Sequence, residues 1–179
     1  MQTELNIPRK DFPSTRLPDG RIIVVGGWCD SDLLDSTEVW EPSSGAWREL
    51  PGMGTHAHRT RHSGCLLTDD RFAVFGGFVQ NYDDGDEAAD DATTLASCQA
   101  LVLDSGAERW EPMPRMLEAR AGFACAAVGA CVIVAGGEIG DDDDYDLSSV
   151  EVYEEATGVW RRLPCDMPRA VSFMGSDVL

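Results

Sequence analysis

Three short apolar runs in this chain each stop at a pair of glycines: Arg21-Ile22-Ile23-Val24-Val25-Gly26-Gly27, Arg71-Phe72-Ala73-Val74-Phe75-Gly76-Gly77 and Ala130-Cys131-Val132-Ile133-Val134-Ala135-Gly136-Gly137. Each run has the length and the β-branched or aromatic content of a strand buried on both faces, and each is too short for a helix. The paired glycines supply a tight exit where a side chain would not fit. The runs recur at spacings of 50 and 60 residues, close to the range of stacked or radially arranged units.

Behind each glycine pair the same signals return in the same order. Thr37-Glu38-Val39-Trp40-Glu41 alternates like a strand, Pro42-Ser43-Ser44-Gly45 reads as a turn, and Ala46 to Leu50 makes a further strand that Pro51 ends. The later copies run Ala100 to Asp104, then Ser105-Gly106, Trp110 and Pro114, and Val150 to Glu154, then Ala156-Thr157-Gly158, Trp160 and Pro164. An acid stands six residues before the tryptophan each time, as Glu41 before Trp47, Asp104 before Trp110 and Glu154 before Trp160, and a proline follows four residues after it. A strand also precedes the second and third glycine pairs, at His62 to Leu67 and Arg120 to Val128. Each repeat is therefore four antiparallel strands, A to D.

An arginine-led strand A, a strand B ending in Gly-Gly, an acid near the end of strand C and a tryptophan in strand D resemble the kelch repeat. The third copy, from Met116 to Trp160 and on into Met167-Pro168-Arg169-Ala170, is especially similar to the kelch repeats of plant F-box proteins. The rival WD40 propeller would need Gly-His and Trp-Asp dipeptides, and neither occurs. The resemblance implies an all-β fold, a kelch-type β-propeller built as a partial ring of about three four-stranded antiparallel blades plus the start of a fourth. The expected boundaries are residues 1–51, 52–114 with an acidic insertion at 78–98, 115–164 with an insertion at 138–147, and 165–179 as the first strand of a fourth blade. Residues Asp11 to Leu17 occupy the place of the first strand A, where Pro13 and the polar sequence make a poor strand, so the first blade is expected to be incomplete. A ring closes with about four to eight blades. The remaining blades are expected from the rest of a longer chain or from another chain.

Charge adds a second layer, since 32 acidic residues stand against 14 basic ones and the formal net charge is −18. Many of the acids fall between strands B and C: Asp30, Asp32 and Asp35, then Asp83, Asp84, Asp86, Glu87, Asp90 and Asp91, then Glu138, Asp141 to Asp144 and Asp146. Because strand directions alternate, these loops and the links from D to the next A emerge on one face. Such a face repels nucleic acid. Its like charges are expected to keep the loops extended, and the aspartate runs do not match a calcium-binding ladder. His56, His58 and His62 cluster near the second strand A without the further ligands of a zinc or copper site. No metal, cofactor or catalytic residue is expected.

Nearer the axis of the same face stand Arg59, Arg61, Arg120 and Arg169, which by resemblance to kelch substrate receptors form a basic pocket gripping partner carboxylates. The competing reading pairs these arginines with the acidic loops. Trp28 and Phe78, directly after glycine pairs, are candidate exposed anchors. Trp47, Trp110 and Trp160, at one repeated place, read as packing between blades, as Gly26, Gly27, Gly76, Gly77, Gly136 and Gly137 read as structural. Of the six cysteines, Cys65 and Cys125 occupy equivalent strand A positions, and Cys29 and Cys98 are expected to be exposed.

No stretch approaches the roughly 20 apolar residues of a membrane span, and Met1 to Phe12 lacks the apolar core of a signal peptide. A cytoplasmic or nuclear compartment is expected. The resemblance implies a module that binds another protein, with no chemistry of its own, as the substrate-recognition part of an F-box/kelch-type ubiquitin ligase adaptor. The F-box helices are absent from this sequence. A non-ligase kelch scaffold, cytoskeletal or signalling, and a kelch-type enzyme of small-molecule metabolism are the alternatives.

Overall fold

The computed structural model describes residues 4–54, 57–81, 91–103, 107–140 and 145–173. Their architecture is all-β, with three four-stranded antiparallel sheets. The first holds β1 (Ser14–Arg16), β2 (Ile22–Val25), β5 (Thr37–Glu41) and β6 (Ala46–Leu50) in that order. The second holds β7 (Ser63–Leu66), β8 (Phe72–Phe75), β11 (Cys98–Val102) and β12 (Arg109–Met113). The third holds β13 (Ala124–Val128), β14 (Cys131–Ala135), β15 (Val150–Glu154) and β16 (Val159–Arg162). Two hairpins rise between the second and third strands of a sheet: β3 (Trp28–Cys29) with β4 (Asp32–Leu33), and β9 (Phe78–Asn81) with β10 (Asp91–Thr94). No helix among the described residues is long and apolar enough to cross a membrane.

The apolar runs before the glycine pairs are the second strands β2, β8 and β14. Phe72–Phe75 is buried throughout, with a sheet packed on each face. In β14 burial alternates, with Val132 and Val134 enclosed and Cys131, Ile133 and Ala135 half-buried. The expectation of burial on both faces is thus corrected for this strand, because no sheet among the described residues covers its second face.

Two cores fill the seams. Between the first and second sheets lie Ile23, Val25, Val39, Phe72, Val74 and Leu101. Between the second and third lie Ala73, Phe75, Ala100, Val132, Val134, Tyr153 and Trp160. Phe75 meets the Trp160 ring edge-on at 5.8 Å between centroids, the arrangement that aromatic quadrupoles favour. The tryptophans of the fourth strands also tie neighbours together: Trp110 Nε1 donates to Pro51 O and Trp160 Nε1 to Pro114 O, both at 2.9 Å.

The first strand and the end of the chain depart from expectation. Ser14–Arg16 pairs with Arg16 opposite Ile22, so the first sheet has four strands. Pro13 lies just before this edge strand, where a missing N–H costs no ladder bond. Residues 165–173 form no strand. They dock on the third sheet through Met167 N to Ser148 O (2.8 Å), Gly137 N to Val171 O (2.9 Å) and Val171 N to Leu147 O (3.2 Å). The same three bonds join Met116, Arg120 and Gly77 to the second sheet. Residues 174–179 lie outside the described residues.

Candidate functional site

The exits of the second strands organise the loop face. Gly26 and Gly27 have φ of 59° and 97°, and a Cβ on Gly27 would stand 2.5 Å from Lys10 O. Both conditions exclude a side chain. The chain turns there so sharply that the carbonyl of the first glycine is left outside the ladder, and an arginine answers it.

Arg9 Nη1 donates to Gly26 O at 2.8 Å and Ser36 O at 3.1 Å, while Nη2 reaches Ser36 Oγ at 3.1 Å and Glu38 Oε1 at 2.6 Å. Arg120 repeats the pattern with Gly136 O (2.6 Å), Ser149 O (3.3 Å), Ser149 Oγ (3.0 Å) and Glu151 Oε1 (2.7 Å). Each glutamate also accepts two backbone N–H groups of the incoming link, Asn6 and Ile7 on Glu38, Leu117 and Glu118 on Glu151. Arg59 makes the corresponding bonds to Gly76 O (3.1 Å), Ser97 O (3.2 Å) and Ser97 Oγ (3.3 Å). The carboxylate position is Gln99, opposite Val74 as Glu38 is opposite Val24 and Glu151 opposite Val134. Burial lowers the Arg59 pKa to about 10, and Gln99 Oε1 is buried without a hydrogen-bond partner. The backbone carbonyls of Arg59 and Arg120 meanwhile accept Gly27 N and Gly77 N of the preceding sheet at 2.9 Å. Each of these arginines therefore rivets one sheet to the next.

This arrangement corrects the basic pocket. Arg59 and Arg120 are 2% and 0% exposed, with their guanidinium groups spent on backbone carbonyls, and neither can grip a partner. Arg169 is exposed, but Val171 occupies the arginine's place in its repeat, so Arg169 does not join a ring. Phe78 is 5% exposed and lies beneath Arg61, which removes it as an anchor. Trp28 is half-buried, with its indole N–H donated to Asp30 O at 2.6 Å.

Arg61 remains at the surface. It has φ of 51°, and the residues in the same place of the other repeats, Asp11, Gly122 and Phe173, have φ of 55°, 59° and 53°. These positions are linked by Arg61 N to Asp11 O at 3.0 Å and Gly122 N to Arg61 O at 2.8 Å. Arg61 pairs with Glu138 at 2.9 Å and lies 5.3 Å from the Phe78 ring centre and 4.9 Å from that of Phe173. Phe173, 62% exposed, was not singled out in the sequence. Its signal is its position two residues past the Val171 that replaces the repeated arginine. Asp11, Arg61 and Phe173 border an open cavity of about 950 Å³ along β1, β7 and β13.

Around this cluster rise the hairpins. Bridges of Lys10 with Trp28, Thr60 with Phe78 and Ala121 with Glu138 start them alike, and Gly140 N donates to Thr94 Oγ1 at 2.9 Å between the last two. The acids at 83–90 and Asp141 to Asp144 lie outside the described residues, as do Asp104 and His56. Among the described residues no group of three or more His, Cys, Asp or Glu side chains is placed to hold a metal ion. His62 is 4% exposed. Its ring packs against Gly26, and the Val25 backbone faces it without hydrogen-bond geometry. Burial, with the charges of Arg59 and Arg9, holds its pKa well below 6.5. Cys98, expected at the surface, is buried at the start of β11, and burial pushes its thiol up to about 12.

Comparison with known proteins accords with this geometry. The Kelch motif model matches residues 14–54 and 119–167. F-box/kelch-repeat protein SKIP30 of Arabidopsis thaliana is 28% identical over 141 residues, which are 76% of this chain and 38% of that protein. Kelch-like protein 33 of Homo sapiens is 25% identical over 181 residues, covering 92% of this chain and 30% of that protein. The chain thus spans about a third of the length of these relatives. The solved structure of YjhT superposes with a TM-score of 0.73 over 92% of this chain and 55% of that one at 18% identity, a likeness of fold. With four-stranded sheets that exit at paired glycines, arginine rivets between sheets and a family model matched over half of its residues, the chain belongs to the Kelch motif family.

Proposed function

We propose that this chain is a protein-interaction module and that, within a longer protein, it serves as the substrate-recognition part of an F-box/kelch-type ubiquitin ligase adaptor. The family and the F-box/kelch-repeat relatives support the reading. The observation that carries it is an open cavity among acidic loop hairpins, at whose mouth Arg61 is already engaged by Glu138 and two phenylalanine rings. Accessible contacts on that face are Trp28, Arg61 and Phe173. Residues 28–35, 78–97 and 138–148 contain fifteen acids and no Lys or Arg. With Arg61 already paired and two of the four arginines buried, this field favours a partner that brings cationic side chains. The chain acts in the cytoplasm or nucleus and performs no chemistry itself.

The test begins with a partner captured by the full-length protein. Asp30→Asn with Asp32→Asn should slow association and weaken its salt dependence, since rim charges steer encounter. Both residues are exposed, and asparagine tolerates the positive φ of Asp30. Arg61→Gly should weaken binding less than about tenfold, a change of 1.4 kcal/mol or less. A larger loss restores a carboxylate-gripping role for Arg61. Ligase function requires the partner to be ubiquitinated and to accumulate when the full-length protein is removed. A captured partner whose level and modification do not change would make the chain a scaffold.

A further inference from the structure

The first strands of the second and third sheets share one register, but their cysteines stand one residue apart in it. Ser63 lies opposite Phe75, the residue before Gly76, and Ala124 lies opposite Ala135, the residue before Gly136. The counterpart of Cys65 in the third sheet is therefore Ala126, and the counterpart of Cys125 in the second is Gly64, which corrects their expected equivalence. The offset has a geometric consequence. Equivalent residues of neighbouring sheets point the same way around a propeller and cannot meet, but a shift of one residue turns a side chain to the opposite face. Cys65 shares a face with Ala73 and Ala100, which look toward the third sheet, and Cys125 shares a face with Val134, which looks toward the second.

We propose that Cys65 and Cys125 are a dithiol pair that closes into a disulfide across the seam between the second and third sheets. Strands β7 and β13 run side by side with Cα atoms within 8 Å, compatible with the Cα separations of about 4.4–6.8 Å that a disulfide spans. Ser63 Oγ donates to Phe123 O at 2.8 Å and locks the two strands together two residues before the cysteines. Both thiols lie in one apolar core, and both line the open cavity, which gives a small oxidant a way in. Both cysteines are free in the structure, and contact with Cys65 and burial push the Cys125 thiol up, which holds it protonated.

A peroxide supplies the oxidising equivalents. Its O–O bond breaks as one sulfur is oxidised to a sulfenic acid, with release of one water, and the second sulfur displaces a further water as the S–S bond forms. Two thiols and hydrogen peroxide thus yield one disulfide and two waters.

The test treats the purified chain with hydrogen peroxide and maps it without reduction after tryptic cleavage. The expected product joins peptide His62 to Arg71 with peptide Ala121 to Arg161, is absent in Cys125→Ala and present in Cys131→Ala, and reverts with dithiothreitol. The oxidised chain should melt several degrees higher, because a cross-link between distant residues restricts the unfolded chain. Cys65→Ala, which keeps a small apolar side chain, should fold and lose both the linked peptide and the shift. Two results overturn the proposal: free thiols at both positions when exposed Cys165 has been fully oxidised, or Cys98 as the partner of Cys125.

Discussion

The seam between the second and third sheets and the seam between the first and second are built from the same parts with two exchanges. At the second-to-third seam, Arg120 meets Glu151 and Phe123 packs under Gly76. At the first-to-second seam, Arg59 bonds Ser97 while Gln99 stands in the glutamate's place, and His62 packs under Gly26 in the place of that phenylalanine. The later seam thus buries a neutralised pair and a hydrocarbon ring, while the earlier one buries a cation without a carboxylate among the described residues and an imidazole with two unpartnered nitrogens. Desolvation is compensated at one and left partly standing at the other. The same backbone can therefore be repeated with unequal stability, and the earlier seam should be the weaker.

The sharpest way to break the comparison is to remove each arginine. Arg120→Ala leaves Glu151 charged and buried, which should cost about 3–5 kcal/mol. Arg59→Ala leaves only uncharged acceptors, and its cost should be about 1–3 kcal/mol. Urea denaturation of the two variants measures the difference, and equal losses would show that the carboxylate is immaterial. A smaller effect of opposite sign should follow from Gln99→Glu, which places a carboxylate where the other sheets have one. It should stabilise the chain by about 1.5–3 kcal/mol. No gain would mean that the glutamate needs the two link N–H groups that Glu38 and Glu151 receive.

His62 sharpens the contrast through pH. Its folded-state pKa is held well below 6.5, so below that value the unfolded chain binds a proton that the folded chain does not. The stability it permits is complete above about pH 6.5 and is lost as pH falls, by up to about 1.4 kcal/mol per unit until the folded value is reached. His62→Phe, the residue of the other seam, should remove that component and flatten the profile against the parent. Identical slopes between pH 7 and 5 would place the acid sensitivity elsewhere.

The smallest effect belongs to Arg61→Gly. Glycine already serves at the matching position, Gly122 with φ of 59°, and Arg61 pays a left-handed conformation there. Arg61 is a third exposed and Glu138 is buried, so loss of the ion pair outweighs the relief of that strain, for a net cost of about 1 kcal/mol. A larger loss by the same denaturation assay would make Arg61 a structural member of the seam rather than a surface residue.

Much of the fold was legible in the chain itself. Paired glycines, a tryptophan and a proline at constant offsets announce strand order, because turn geometry and alternation are local and the repeat shows them three times. The rivets were legible too, for an arginine stands 17, 17 and 16 residues before the first glycine and Ser-x-Glu or Ser-x-Gln opens each third strand. What misled was the adjacent arginine: Arg59 and Arg61 are two residues apart and have opposite fates, one enclosed and one at the surface.

By itself the sequence determined the sheets, their order, the tight exits and the acidity of one face, since each follows from side-chain types at short range. Tertiary structure decided which arginines remain available, that Phe78 lies covered and Phe173 open, and that Cys65 faces Cys125. Those outcomes depend on carbonyls left unpaired where the second strand turns away and on two cysteines that stand one residue apart in the shared register of neighbouring sheets. Both are relations between segments far apart in the chain, which local pattern does not encode.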